Sequence, residues 1–437
     1  MPRALRITIA LLVALLSLSG ATEGQGKKIK LPETGAFTFR AVLASPGGPL
    51  PFGVEIKKTS AGARAVLINA QERIPVTDTI LDDFNLLLSF PHYASEIRCA
   101  QTSSGVWKGL WRKRSPGGES TLEATLTLVT PDEQGHIARF PALDPGLDDG
   151  EPIDDDAESI DGEWKVTFHG GDAPTPAGAR FRAKGSRVAG TFLTPTGDYR
   201  YLEGDLRDRR LRLSCFDGAH AFLFTADLDD EGRLAGDFWS RDSWHETWTA
   251  ERLPAGKTLS EVLPDPFTMT SVKPGKELTF RFPDLEGRPV SLDDARFRDR
   301  PVIVEIFGSW CPNCHDAAPV LRRLRERYSS QGLEIIGLAY EITGDPALDA
   351  LQLEIYAEKV GCDWPLLLAG TSAKDEASST LPSLTGVKSY PTTLFLDRQK
   401  KVRAIYTGFA GPATGPDHQR LLEEWDRLAA EIVGRSR

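Results

Sequence analysis

From Phe37 to Thr249 the chain alternates apolar and polar residues in short runs. Leu122, Ala124, Leu126 and Leu128 alternate with Glu123, Thr125 and Thr127, and Leu211, Leu213 and Cys215 alternate with Arg210, Arg212 and Ser214. A period of two puts every second side chain on one face, the pattern of a half-buried strand. Gly, Pro and Asp close the runs in SPGG, TPTGD and DLDDEG, which is turn chemistry at meander spacing. This half is expected to be mostly antiparallel β-sheet.

The pattern also repeats. LLLSF at Leu86 followed by GVWKGLW at Gly105 parallels LRLSC at Leu211 followed by GRLAGDFW at Gly232, so that Gly105 and Gly109 match Gly232 and Gly236 in spacing. Between the copies runs DPGLDDGEPIDDDAESIDG, which has almost nothing to bury and predicts an acidic, solvated linker over 141–162. Two related β units, over 30–140 and 163–252, fit this repeat; so do the two halves of one duplicated half-barrel or sandwich.

The period changes in the last third, after a Pro- and Gly-bearing boundary over 253–277. PVIVEIF from Pro301 is apolar apart from Glu305, as in a strand buried on both faces. Ala317, Leu321, Leu324 and Tyr328 then fall at helical spacing, and LEIIGLAY from Leu333 is a second buried strand, which makes a βαβ unit. Asp345 and Pro346 open another helix as N-cap and first residue, running to about Val360. PTTLFLD and VRAIYTG read as a hairpin around RQKK, and Leu421, Trp425, Leu428 and Ile432 mark a final helix. The region 278–437 is thus expected to be an α/β domain with a central mixed sheet flanked by helices, in the element order of a thioredoxin-type fold.

Composition narrows the function classes. A chain of 437 residues with 40% hydrophobic and 26% charged residues is globular and long enough for two or three cores. The net charge of -10, with Lys and Arg dispersed, argues against a nucleic-acid partner. The start, MPRALRITIALLVALLSLSGA, has the basic, apolar and small-residue segments of a secretory signal over 1–21. Its apolar run is short of the roughly 20 residues of a membrane span, and no cysteine at the cleavage site marks a lipoprotein. The protein is therefore expected to be extracytoplasmic, periplasmic or secreted, without a stable membrane span after cleavage.

Five cysteines are present, and two of them lie in GSWCPNCHDAAP. Cys311 falls between a buried strand and a helix, where free amides and the helix dipole favour a thiolate. Cys314 lies one turn later. Cys311 is the expected attacking sulfur, and Cys314 the more buried resolving one. A structural zinc site needs four ligands and no second Cys-x-x-Cys supplies them, while a disulfide across two residues closes too small a loop to stabilise much. His315 reads as a polar residue of the first helical turn, ahead of a role in modulating Cys314.

FGSWCPNC together with SYPTTLFLD resembles the thioredoxin superfamily, and within it the extracytoplasmic TlpA/ResA-like thiol-disulfide oxidoreductases, with the redoxin and AhpC/TSA families as cousins. The resemblance implies a redox-active Cys311–Cys314 disulfide with no further cofactor and no metal. It implies a cis-proline at Pro391 that turns the Tyr390 backbone toward a client, with Trp310 and Pro312 completing the client-facing turn. It implies reductase activity on client proteins with thiols or disulfides, and an upstream thiol donor. Glu305 falls where thioredoxins carry a buried proton-moving aspartate, and a carboxylate in an apolar strand has a raised pKa. Many TlpA/ResA-like proteins carry a glutamate three residues after the second cysteine. Here that position is Ala317, and Glu305 is expected to take over the proton work.

Two other readings fit the pair less well. A peroxidase of the redoxin type uses Thr-x-x-Cys, and Gly308 stands in place of that threonine. A copper-handling protein could use both thiolates. Cys362 reads as a small buried residue, whereas Cys99 and Cys215 fit either a disulfide or two buried thiols. Trp239, Trp244 and Trp248 fit a sheet core or rim, or a groove for a ligand.

Overall fold

The computed structural model describes residues 28–115, 118–129, 160–171 and 173–434. The signal over 1–21 and all but the end of the acidic linker lie outside the described residues.

The first β region comprises β1 (Gly35–Ser45), β2 (Gly48–Thr59), β3 (Gly62–Asn69), β4 (Glu72–Pro75), β5 (Asp78–Leu81), β6 (Asn85–Phe90), β7 (Ser95–Ser103), β8 (Val106–Ser115) and β9 (Gly118–Val129). The strands pair in the order β2-β1-β9-β8-β7-β6-β5-β3-β4, and an additional β2–β3 pairing closes eight of them into a barrel. The second region repeats this with β10 (Gly162–His169), β11 (Thr175–Lys184), β12 (Arg187–Thr194), β13 (Gly197–Asp198), β14 (Leu202–Arg207), β15 (Arg210–Phe216), β16 (Ala221–Leu228), β17 (Leu234–Ser240) and β18 (Trp244–Arg252). Here β11–β12 closes the ring. Each sequence copy is therefore a complete antiparallel barrel, not half of one, with only the short β4 and β13 left outside the ring, paired on β3 and β12.

Alternation fills both interiors. Phe39, Leu88, Ile97, Trp107, Trp111 and Leu126 are fully buried in the first core, and Trp164, Phe181, Phe192, Phe224 and Trp248 in the second. Cys99 and Cys215 sit in separate barrels as free thiols. The barrels dock on each other, β15 and β16 of the second against β1, β2 and β3 of the first. Phe216, at the end of β15, enters the first core with its ring 4.5 Å from Phe52. Asn69 then pairs with the Phe216 backbone like a strand, donating from Nδ2 to its carbonyl at 2.9 Å and accepting its N–H at 3.0 Å.

The C-terminal domain contains β19 (Arg281–Pro283), β20 (Pro289–Ser291), β21 (Val302–Phe307), α1 (Pro312–Tyr328), β22 (Glu334–Glu341), α2 (Pro346–Val360), β23 (Leu366–Thr371), α3 (Lys374–Thr380), β24 (Thr392–Leu396), β25 (Val402–Thr407) and α4 (Pro416–Gly434). Its main sheet runs β23-β22-β21-β24-β25, with β21, β22 and β23 parallel and β24 antiparallel to both its neighbours, β21 and β25. Asp345 caps α2 by accepting from the amides of Ala347 and Leu348, and Gly361 ends it in the left-handed region, where only glycine is unstrained. The expected helix faces are buried: Ala317, Leu321, Leu324 and Tyr328 in α1, and Leu421, Trp425, Leu428 and Ile432 in α4. The parallel strand β23 and the short helix α3 are additions to the expected element order.

Candidate functional site

Strand β21 is buried at every position and delivers the chain to a tight turn at Gly308–Trp310. A Cβ at Gly308 would lie 2.2 Å from the Trp310 indole nitrogen, so glycine lets that ring fold over the turn. Trp310 Nε1 donates to the Tyr340 carbonyl at 2.9 Å, and its ring meets that of Tyr390 edge-on at 5.5 Å. Glu341, at the end of β22, accepts from the Ser309 amide at 2.8 Å and its hydroxyl at 2.6 Å. Burial raises the Glu341 carboxyl to about 7 against these two bonds.

Cys311 is the N-cap of α1 and has no side-chain capping bond, so its sulfur stays available at the helix start. Its Sγ lies 3.4 Å from the Tyr390 carbonyl, to which the thiol donates, and the Tyr390–Pro391 peptide is cis. Trp310, Pro312, Tyr390 and Pro391 thus gather around one sulfur. Cys311 is 7% exposed and Cys314 0%. Burial, followed by the neighbouring Cys311, pushes the Cys314 thiol well above its ordinary range.

Glu305 lies under this pair, 1% exposed, with no hydrogen-bond partner for either carboxylate oxygen. Burial, with the Cys311 charge adding, raises it to about 8. It neither reaches solvent nor pairs with an arginine. Ala317 is packed in the core, and Asp316 points away, into an ion pair with Arg200.

The barrels form much of the surroundings of the thiols. Arg200, on the loop after β13, joins all three domains. It pairs with Glu72 of the first barrel at 2.5 Å, Asp316 of α1 at 2.7 Å and Asp217 of its own barrel at 3.2 Å. Burial alone would raise the Asp217 carboxyl, but His220 and Arg200 together hold it below the ordinary range.

His315 donates from Nε2 to the Ser309 carbonyl at 2.7 Å and packs against Tyr93, His92 and Tyr356. Burial, with His92 nearby, keeps it neutral by pushing its pKa well below the ordinary value. It is a core contact to the first barrel rather than an exposed polar residue. Beside Pro391, Ser389 Oγ donates to the Thr196 carbonyl at 2.9 Å, so the β12–β13 connection occupies the face next to the cis-proline.

Sequence reasoning missed Arg200, Asp217, His220, His92, Tyr93 and Thr196, because all six belong to the barrels and lie where these meet the thiol domain. Of the three tryptophans, Trp248 is core, Trp239 packs on the first barrel, and Trp244 is exposed on the wall of a cavity. Cys362 is half-buried, and its thiol is raised to about 12 by burial. Among the described residues no group of three or more His, Cys, Asp or Glu is placed to hold a metal, and no helix is long and apolar enough to cross a membrane.

Residues 274–405 match the AhpC/TSA family. The chain is 33% identical over 129 residues to thiol-disulfide oxidoreductase ResA of Geobacillus thermodenitrificans, which covers 30% of this chain and 66% of that protein. It is 30% identical over 144 residues to ResA of Geobacillus kaustophilus, covering 33% and 72% of the two chains. It is 29% identical over 166 residues to the thiol:disulfide interchange protein DsbE of Pseudomonas aeruginosa, covering 37% and 83%. All three likenesses span no more than 37% of this chain, and the first spans just under two thirds of its relative. A mixed thioredoxin sheet, a cysteine pair at a helix start and these relatives converge: through its C-terminal domain the chain belongs to the ResA/DsbE-like thiol-disulfide oxidoreductases of the thioredoxin superfamily.

Proposed function

We propose that the chain is an exported reductase of disulfides that works through Cys311-Pro312-Asn313-Cys314. The observation that carries this reading is the sulfur of Cys311 at the start of α1, 3.4 Å from the Tyr390 carbonyl beside cis-Pro391, with Cys314 buried behind it. The Cys311 thiolate attacks one sulfur of a partner disulfide, forming a mixed disulfide and expelling the partner's other sulfur as a thiolate. Cys314 then gives its proton to Glu305 and attacks Cys311 Sγ. The second partner thiolate leaves, two electrons have passed to the partner, and a Cys311–Cys314 disulfide remains for an upstream dithiol to reduce. Trp310, Pro312, Tyr390 and Pro391 face the partner, and the barrels select what reaches them. Export rests on the N-terminal sequence, and reduction as the net direction rests on the family.

A thiol peroxidase is disfavoured by Gly308 at the peroxide-binding threonine position. The test is trapping in the full chain. A Cys314→Ser variant should accumulate mixed disulfides at Cys311, while Cys311→Ser should accumulate none. A Cys314→Ser trap that stays empty under several growth conditions overturns partner exchange.

A further inference from the structure

A chamber of about 420 Å³ lies where the two barrels meet the thiol turn, with Trp310 as one wall. It adjoins a smaller cavity of about 230 Å³ that contains Cys311. Tyr199, His220, Phe222 and Trp310 line both, so the chamber is an anteroom to the sulfur. Together they reach the size of ordinary small-ligand sites, roughly 300–1,000 Å³.

The anteroom is cationic. Lys113, Arg114 and Arg241 line it. Lys113 is 6% exposed, and its ammonium has no hydrogen bond or ion pair among the described residues, only the Tyr93 ring at 5.7 Å. Burial pushes it down to about 8, although Asp217 pulls the other way. Arg241 donates from Nη1 to Ser115 Oγ at 2.8 Å, and burial lowers its pKa against the pull of Asp242. The carboxylate of Asp217 is already held by Arg200 and His220. A buried ammonium without an anion is unfavourable, and a low-dielectric cleft of one sign concentrates ligands of the other.

Access is also limited. The β12–β13 connection sits on Ser389, and Asn313 lies so close to Gly197 that a Cβ there would be 2.0 Å from its Nδ2. The approach left to Cys311 is narrow.

We propose that this anteroom binds a low-molecular-weight disulfide bearing carboxylates and presents it to Cys311, Lys113 and Arg241 taking the carboxylates while Phe222, Trp244 and Trp310 cover the methylenes. This rests on Cys311–Cys314 being an exchanging pair. One substrate S–S bond is broken as Cys311 Sγ bonds one half and the other leaves as thiolate. Cys314 then releases the second half, so the substrate gains two electrons and the protein dithiol becomes a disulfide.

The test uses the pre-reduced full chain in single turnover, with oxidation of the pair read by Trp fluorescence and by thiol alkylation. The probes are 3,3′-dithiodipropionate, a dicarboxylate, and cystamine, a dication of similar length, each rate being divided by that of the same disulfide with dithiothreitol. The normalised rate should favour the dicarboxylate by about tenfold or more at low ionic strength, and the preference should shrink with salt. In Lys113→Gln and in Arg241→Gln the ratio should fall toward one. Should Lys113→Gln not fold, Arg241→Gln and the wild-type salt dependence still decide. A wild-type ratio near one, or a ratio untouched in both variants, overturns the anionic site and leaves disulfide exchange standing. If neither disulfide oxidises the pair, the anteroom proposal falls, and the Cys314→Ser trap alone decides the exchange reading.

Discussion

Arg200 of the second barrel donates through Nη1 to Asp316 of the thiol helix at 2.7 Å, two residues after Cys314. The same guanidinium holds Glu72 of the first barrel, and its Nε stands 3.2 Å from Asp217. One planar cation thus fixes the thiol helix to both barrels, a task that suits the five-donor fork of arginine.

Arg200→Met should therefore leave three carboxylates facing one another without a cation. Breaking a buried ion pair by removing one partner costs about 3–5 kcal/mol. The expected result is a lower first transition in denaturant or heat, and faster cutting between domains by protease. Arg200→Lys should restore only part of the loss, because an ammonium cannot bridge the same three groups. Equal stability of the methionine variant and the wild type would remove Arg200 from this role.

Glu305 makes a prediction in pH. Its carboxyl is raised from 4.5 to about 8 in the folded protein, chiefly by burial. The folded state therefore holds this proton more tightly than the unfolded chain does. The stability linked to it is full below about 4.5 and is lost as pH rises to about 8. The difference is at most on the order of 5 kcal/mol. Glu305→Gln should flatten this decline in unfolding titrations. In the same variant, resolution of a Cys311 mixed disulfide should slow by about a hundredfold and lose its rise through pH 8. A stopped-flow pH profile that is the same in both proteins would end the proton-acceptor role.

The repeated glycines make a third. Gly105 and Gly232 sit in matching turns at φ +73° and +74°, in the left-handed region. A Cβ on Gly109 would stand 2.0 Å from the Arg98 carbonyl oxygen, and one on Gly236 1.9 Å from that of Thr225. Both obstacles are backbone in the neighbouring strand. Gly109→Ala and Gly236→Ala should each cost about 1–3 kcal/mol by forcing the strands apart. Denaturant unfolding followed by Trp fluorescence would measure it, and unchanged midpoints would mean that the sheets yield without cost.

Those glycines explain why the duplication is legible in sequence: the barrel needs them for backbone reasons that recur at the same register. The thiol turn was legible for a similar reason, since buried strand, N-cap cysteine and helix are successive in the chain. The Asp345 cap and the apolar faces of α1 and α4 are equally local. Closure of the barrels was not, because the β2–β3 and β11–β12 pairings that seal them look like any other hairpin in the alternating pattern. Strand β23 was hidden because Leu366 to Thr371 is a short apolar run between a helix end and a turn. The contacts of the barrels with the thiols left no local trace: Thr196 and Ser389 are 193 positions apart, and Arg200 and Asp316 116.

The two closed barrels also set an order of events. Each ring is complete within its own strands, and domains fold as units, the N-terminal ones first during synthesis. Gln352 of α2, which donates to the Pro91 and His92 carbonyls 261 and 260 positions upstream, joins a barrel whose strands are already paired. Cys311 and Cys314 therefore follow both barrels in the chain, and their turn docks against walls that can close without it.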